Sequence, residues 1–217
     1  MPSVSPAPRG LPEHQQQSLL QQWLAILSVA VGAFALVTSE FLPVGVLNDV
    51  ANDLGISAGL AGLMVTLPGI MAALAAPTIS VGVGNLDRRY LLIGLTLIMI
   101  LANAIVAFAG NFHLLLLGRV LLGVSIGGFW ATAIALSSRL APDGVGVAKA
   151  NSIIMAGVTL ATVIGVPVGT WLSGLMGWRM TFLVTAVVGV PVLLAQVMLL
   201  PRLMPEKAIR ISDLPAL

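Results

Sequence analysis

LLLLGRVLLGVSIGGFWATAIALSSR, residues 114–139, sets an arginine in the middle of a run otherwise fit for lipid. About twenty consecutive apolar residues make a membrane-spanning helix, and Arg119 falls inside one. A cation there costs at least ~2.5 kcal/mol even on the gentlest insertion scale, so an intramembrane charge reads as functional and as having a partner. At 100° per residue, Arg119, Gly123, Gly127 and Trp130 lie within about 80° of one another, a face made of a charge, bare backbone and an indole. Two readings of that face stay open. It lines a cavity, or Gly123 and Gly127 form a packing seam with Trp130 packed beside them.

Composition extends this reading to the whole chain. Of 217 residues, 58% are hydrophobic and 8% charged, with a mean hydropathy of +1.05, whereas soluble domains run near 25% charged. This is the makeup of an all-α, polytopic membrane protein. The ten basic residues are scattered and form no stripe or cluster, so no nucleic-acid partner is expected. The absence of cysteine removes disulfides, zinc thiolates and thiol nucleophiles together. His14 and His113 belong to a tail and a loop and make no ligand set, so no metal and no cofactor is expected. A six-span intramembrane serine protease would need a membrane-embedded histidine as base, and neither histidine provides one, so the chain is not expected to be an enzyme.

Taken in order, residues 1–21 are proline- and glutamine-rich and read as a disordered cytoplasmic tail. A six-span bundle follows over residues 22–200, with spans expected at about 22–47, 58–83, 90–108, 114–136, 150–172 and 179–200. The first apolar run is too long for a signal-peptide core and lacks a cleavage site, so it is read as retained. Trp23 stands at its start as an interfacial anchor and Glu40 lies deep within it. Residues 48–57, NDVANDLGIS, read as an acidic loop. Pro68 and Pro77 should kink span two. Pro142, Asp143 and Gly144 mark a turn, and 174–178 reads as a hinge. Residues 201–217 read as the start of a linker. In span five Gly157, Ala161, Gly165, Gly169 and Ser173 recur every four residues, a stripe that lets another helix backbone approach closely.

Arg9, Arg88, Arg89, Arg139, Lys149, Arg202, Lys207 and Arg210 fall on one side of the membrane and only Arg179 on the other. The positive-inside bias therefore expects both termini in the cytoplasm. With that topology Glu40 and Arg119 each lie about five residues, at ~1.5 Å per residue, below the outer end of their spans. They are expected to form an ion pair.

The basic loop between spans two and three, the Arg119-x-x-x-Gly123 of span four and the Gly165-x-Pro167-x-Gly169 of span five resemble the amino-terminal half of a major facilitator superfamily transporter, over about residues 23–201. Thr38-Ser39-Glu40-Phe41-Leu42-Pro43-Val44-Gly45 and Gly165-Val166-Pro167-Val168-Gly169-Thr170 resemble its twelve-span drug:proton antiporter family, the second matching the antiporter motif. Phe129-Trp130 and Gly177-Trp178-Arg179 are most similar to the branch of purine ribonucleoside and sugar efflux transporters. The resemblance implies one half of the fold, a 3+3 inverted repeat. It also implies a proton-coupled efflux antiporter of the cell inner membrane, working by alternating access on a drug-like, nucleoside or sugar substrate and able to confer drug resistance. It gives Glu40 and Arg119 roles in proton handling, and Asp87, Arg88 and Arg89 a cytoplasmic gating role. That loop departs from the family pattern in placing Gly84 where an aspartate is usual, with Asp87 as a shifted substitute. Partners implied are the small-molecule substrate, protons, membrane lipid and the missing carboxy-terminal half or a second copy.

The chain is expected to be a fragment or truncated product, because a midplane site lies between two six-span halves. A homodimeric half-transporter, and a non-transporting six-span scaffold or channel, are the alternatives. The orientation is directly testable. A cysteine at Asp53 should react with an impermeant thiol reagent added outside intact cells and one at Asn85 should not; labelling of Asn85 would reverse the topology.

Overall fold

The computed structural model describes residues 13–82, 86–141 and 146–201, and among them it is helical with short connections. The helices are α1 (Glu13–Leu54), α2 (Ala58–Ala61), α3 (Leu63–Gly82), α4 (Arg88–Ala107), α5 (Phe112–Leu140), α6 (Val147–Met176) and α7 (Trp178–Leu199). Six stretches are long and apolar enough to cross a membrane, α2 and α3 together making the second. In lipid every backbone polar group needs an internal partner, which is why the chain spends these stretches as helix.

Several boundaries differ from the sequence expectation. The tail expected over residues 1–21 is already helical from Glu13. The loop expected at residues 48–57 is mostly the last turns of α1, which end only at Leu54. Val50 and Ala51 are buried within that stretch and continue the stripe of Leu42 and Val46, so the apolar face carries the helix on beneath its polar face. Carboxylates near a helix carboxy terminus oppose its dipole, and here both find partners: Asp49 accepts the Ser173 hydroxyl at 2.8 Å and Asp53 pairs with Arg179. The reversal itself is made by Gly55, at φ +63°, and Ser57, whose hydroxyl caps α2. The hinge expected at 174–178 reduces to Gly177, at φ +81°, between α6 and α7. The expected turn at Pro142, Asp143 and Gly144, the substituted position Gly84, and Asn85 lie outside the described residues.

The most extensive helix contacts join α1 to α6 and α3 to α5, with α4 against α5 and α7. Taking spans one to three and four to six as repeats, the first span of each packs on the second span of the other, and the two third spans pack together. This is the exchange pattern of a 3+3 inverted repeat. Lipid tails are as apolar as leucine, so helices associate here by close packing and hydrogen bonds. Small residues provide the closeness. Ala161, Gly165, Gly169 and Ser173 are buried along α6, and a side chain at Gly157 would collide with the carbonyl of Ala30 on α1.

Two apolar clusters result. One gathers Ile26, Val29, Leu36, Leu122, Ile126 and Phe129 among others. The second gathers Leu42, Val46, Val50, Leu115, Trp178 and Phe182 among others. Between them, on both α1 and α5, lies the level of Ser39, Glu40 and Arg119.

Gly157→Leu and Gly127→Leu should therefore each lower the thermal midpoint in detergent, since overpacking a tight contact costs ~1–3 kcal/mol. Gly94→Ala, which meets nothing within 4 Å, should be neutral or stabilising by up to ~1 kcal/mol because alanine favours helix. Equal effects at all three would contradict the packing described.

Candidate functional site

Arg119 is the largest side chain buried to the last 2% of its surface, and it is 1% exposed. Its guanidinium donates three hydrogen bonds, Nε to the Met64 carbonyl at 2.6 Å, Nη1 to the Ser39 carbonyl at 2.9 Å and Nη2 to the Glu40 carbonyl at 3.0 Å. One side chain from α5 thus ties α1 to α3. The flat fork of the guanidinium matches two adjacent carbonyls on α1 while Nε turns to the third on α3.

The expected partner is present in a different form. Glu40 is next to Arg119, but the guanidinium takes its backbone oxygen and not its carboxylate, and no ion pair within 4 Å joins the two among the described residues. Three carbonyl dipoles satisfy the cation where a carboxylate was expected. The two charges remain coulombic neighbours, and the half-buried Glu40 carboxylate is left unconsumed by the arginine.

A buried polar chain backs the site. Ser39, at 0% exposed, donates to the Ala35 carbonyl at 2.8 Å and accepts from Asn103 Nδ2 at 3.0 Å, and the same nitrogen reaches the Met99 carbonyl at 2.9 Å. Asn103 comes from α4 and its Oδ1 is buried without a partner. Sequence reasoning missed it, although a lone asparagine in an apolar span was a signal. A second buried pair, Thr96 donating to Gln196 Oε1 at 2.7 Å, links α4 to α7.

Of the two readings of the α5 face, the glycines take the packing one. A side chain at Gly123 would meet the Pro68 carbonyl and Met71 Cβ at 2.6 Å, and one at Gly127 would meet the Ala72 carbonyl at 2.5 Å. Backbone of α3 fills the space that a cavity would need. Gly123 lies one turn from Arg119, and this close approach brings α3 within reach of the guanidinium. Trp130 is half-buried and packs on the first apolar cluster, edge-on to Phe129 with ring centroids 5.8 Å apart.

Gly165 and Gly169 of α6 face Thr38 and Leu42 of α1, the residues flanking Ser39 and Glu40. Pro167, between them in sequence, is exposed. Beside this contact a groove of about 260 Å³, almost wholly apolar, runs between α1, α6 and α7, with Phe34, Thr38, Leu42 and Thr185 in its walls. Arg119 takes no part in it.

Near the start of α4, Asp87 caps the helix by accepting the Arg89 amide at 2.9 Å. Arg89 Nη2 donates to the Val197 carbonyl of α7 at 2.5 Å, and Arg88 opens α4. At the opposite end Arg179 pairs with Asp53, donates to the Ala109 carbonyl at 3.1 Å and lies 4.3 Å over the Trp178 ring. Among the described residues no three His, Cys, Asp or Glu side chains gather as a metal site.

Residues 29–213 match the sequence profile of the Major Facilitator Superfamily. The chain is 46% identical over 171 residues to the transcription regulatory protein OpdE of Pseudomonas aeruginosa, covering 79% of this chain and 42% of that protein. It is 42% identical over 184 residues to the purine ribonucleoside efflux pump NepI of Salmonella enteritidis, covering 85% of this chain and 46% of the pump. The chain thus spans less than half the length of these curated relatives. Among solved structures it resembles a bacterial homologue of the human lysosomal transporter Spinster, inward-facing and occupied, with a TM-score of 0.62 at 19% identity over 89% of this chain and 46% of that one. It also resembles the human organic anion transporter MFSD10, with a TM-score of 0.57 at 20% identity over 94% of this chain and 53% of that one.

Because three carbonyls surround the guanidinium, Arg119→Lys should not substitute for it: a compact ammonium presents its donors from one point and cannot span both helices. Each buried charged hydrogen bond lost is worth ~1.5–3 kcal/mol. In thermal unfolding the lysine variant should fall with Arg119→Leu; wild-type stability of Arg119→Lys would contradict the geometry.

Proposed function

The chain belongs to the Major Facilitator Superfamily, and on that footing we propose that it is the amino-terminal half of a proton-coupled efflux antiporter for a small molecule of the purine nucleoside class. It would sit in the cell inner membrane, multi-pass, with both termini cytoplasmic. A second six-span unit, in the same chain or from a second copy, would complete a midplane site that opens to each side in turn. Export of toxic analogues of its substrate would give drug resistance.

One observation carries the reading: Arg119 is held by backbone, so the Glu40 carboxylate beside it is free to exchange a proton. With Glu40 ionised, the pair is neutral overall; with Glu40 protonated, a net positive charge remains at Arg119. In a low-dielectric setting a change of one charge between two states is enough to bias a conformational equilibrium, provided the two conformations solvate it differently. Proton entry from outside and substrate loading from inside would then compete for the same carboxylate, which is the logic of antiport. Of the two roles named for the relatives, efflux is the one that gives a buried cation and a neighbouring carboxylate work to do.

Substitution of Glu40 by glutamine in the full-length protein fixes the protonated charge state. Nucleoside efflux from intact cells should fall to the level seen when a protonophore collapses the gradient, at matched protein amounts. Gradient-driven efflux at the wild-type rate from Glu40→Gln would refute the proposal.

A further inference from the structure

Two of the three carbonyls that hold Arg119 are not ordinary helix carbonyls. In an α-helix each carbonyl accepts from the N–H four residues on, and proline has no N–H to give. Pro43 lies in α1 and Pro68 in α3. Four residues before Pro43 is Ser39, and four before Pro68 is Met64. These are the carbonyls taken by Nη1 and Nε of Arg119, at 2.9 and 2.6 Å, whereas the longest of the three bonds, 3.0 Å, goes to Glu40, the neighbour of Ser39. A proline ring also crowds the carbonyl four residues back and tilts it off the helix axis, which turns each oxygen sideways toward a neighbouring helix.

Burial separates these two prolines from the rest. The helix-interior prolines among the described residues are Pro43, Pro68, Pro77, Pro167 and Pro191. Pro43 and Pro68 are buried, and the other three are exposed. In hydrocarbon a freed carbonyl must find another donor, and one arginine answers two such demands at once. Gly123 completes the arrangement by admitting the Pro68 turn against α5, one turn from Arg119.

We propose that Pro43 and Pro68 are positioning residues that create the seat of Arg119, and that by occupying the guanidinium they keep it off the Glu40 carboxylate. The interaction is mutual, since the arginine supplies the hydrogen bonds that the prolines removed. Replacing the prolines restores the helical N–H donors, closes the carbonyls back onto their own helices and releases the guanidinium toward Glu40.

The test uses the purified full chain in detergent and two readouts. Alanine in place of a helix-interior proline ordinarily stabilises; here Pro43→Ala with Pro68→Ala should lower the thermal midpoint because it withdraws two of the three carbonyls that hold Arg119, while Pro77→Ala should not lower it. Adding Arg119→Leu to the double proline variant should raise the midpoint again, although the same change alone lowers it. The second readout is labelling by a hydrophobic carbodiimide, whose electrophilic carbon is attacked by the oxygen of a free carboxyl as the carboxyl proton passes to the carbodiimide nitrogen. Glu40 should label in the wild type, with Glu40→Gln as blank, and labelling should fall severalfold in the double proline variant as Arg119 swings onto the carboxylate. A raised or unchanged midpoint in the double proline variant, additive losses on combining it with Arg119→Leu, or unchanged labelling would each overturn the proposal. These outcomes do not depend on efflux, so a failure here is distinct from a failure of the antiporter reading.

Discussion

A cation buried among helices sets the terms for everything around it. Arg119 is not hydrogen-bonded to a carboxylate. It is held by the Met64, Ser39 and Glu40 carbonyls, drawn from two helices that the arginine thereby fixes to a third. Charge-assisted hydrogen bonds are roughly twice as strong as neutral ones, and removing one side of a buried set leaves the other without a partner. The two apolar clusters lie on either side of this level, where the arginine has all its observed partners and, among the described residues, Asn103 Oδ1 is the buried atom left without one beside Thr38 Oγ1.

The packing features follow from the same demand. For α3 to deliver the Met64 carbonyl it must come close to α5, and Gly123 and Gly127 remove the side chains that would hold it away. For α1 to deliver Ser39 and Glu40 it must be pinned from behind. Gly165 and Gly169 of α6 press on Thr38 and Leu42, and Asn103 of α4 holds the Ser39 hydroxyl. The Arg-x-x-x-Gly and Gly-x-Pro-x-Gly spacings are therefore two halves of one arrangement, in which glycine lets backbones meet and arginine joins them.

Much of this was legible in the sequence. Apolar run lengths gave the spans, the four-residue stripe on α6 gave a close helix contact, and the two intramembrane charges gave a shared level. What was not legible has a common cause. A side-chain partner for Arg119 is visible in a sequence, whereas backbone carbonyls leave no mark there except through the prolines four residues downstream. Residues 48–54 read as loop because their polar face is dense, while Val50 and Ala51, continuing the stripe of Leu42 and Val46, carry the helix on underneath. Asn103 was overlooked because a single amide in an apolar span has no periodicity to announce it. The glycines of α5 could be read either as a cavity lining or as a seam, and only the position of α3 separates the two.

The central claim is that a backbone-held Arg119 leaves Glu40 free to carry the proton that substrate exchanges for. Proton release on substrate binding tests it most directly: the full-length protein in weakly buffered detergent, a pH-indicator dye, and addition of a purine nucleoside. The account predicts that binding releases protons from the wild type and none from Glu40→Gln that still binds. Undiminished release from Glu40→Gln would contradict it.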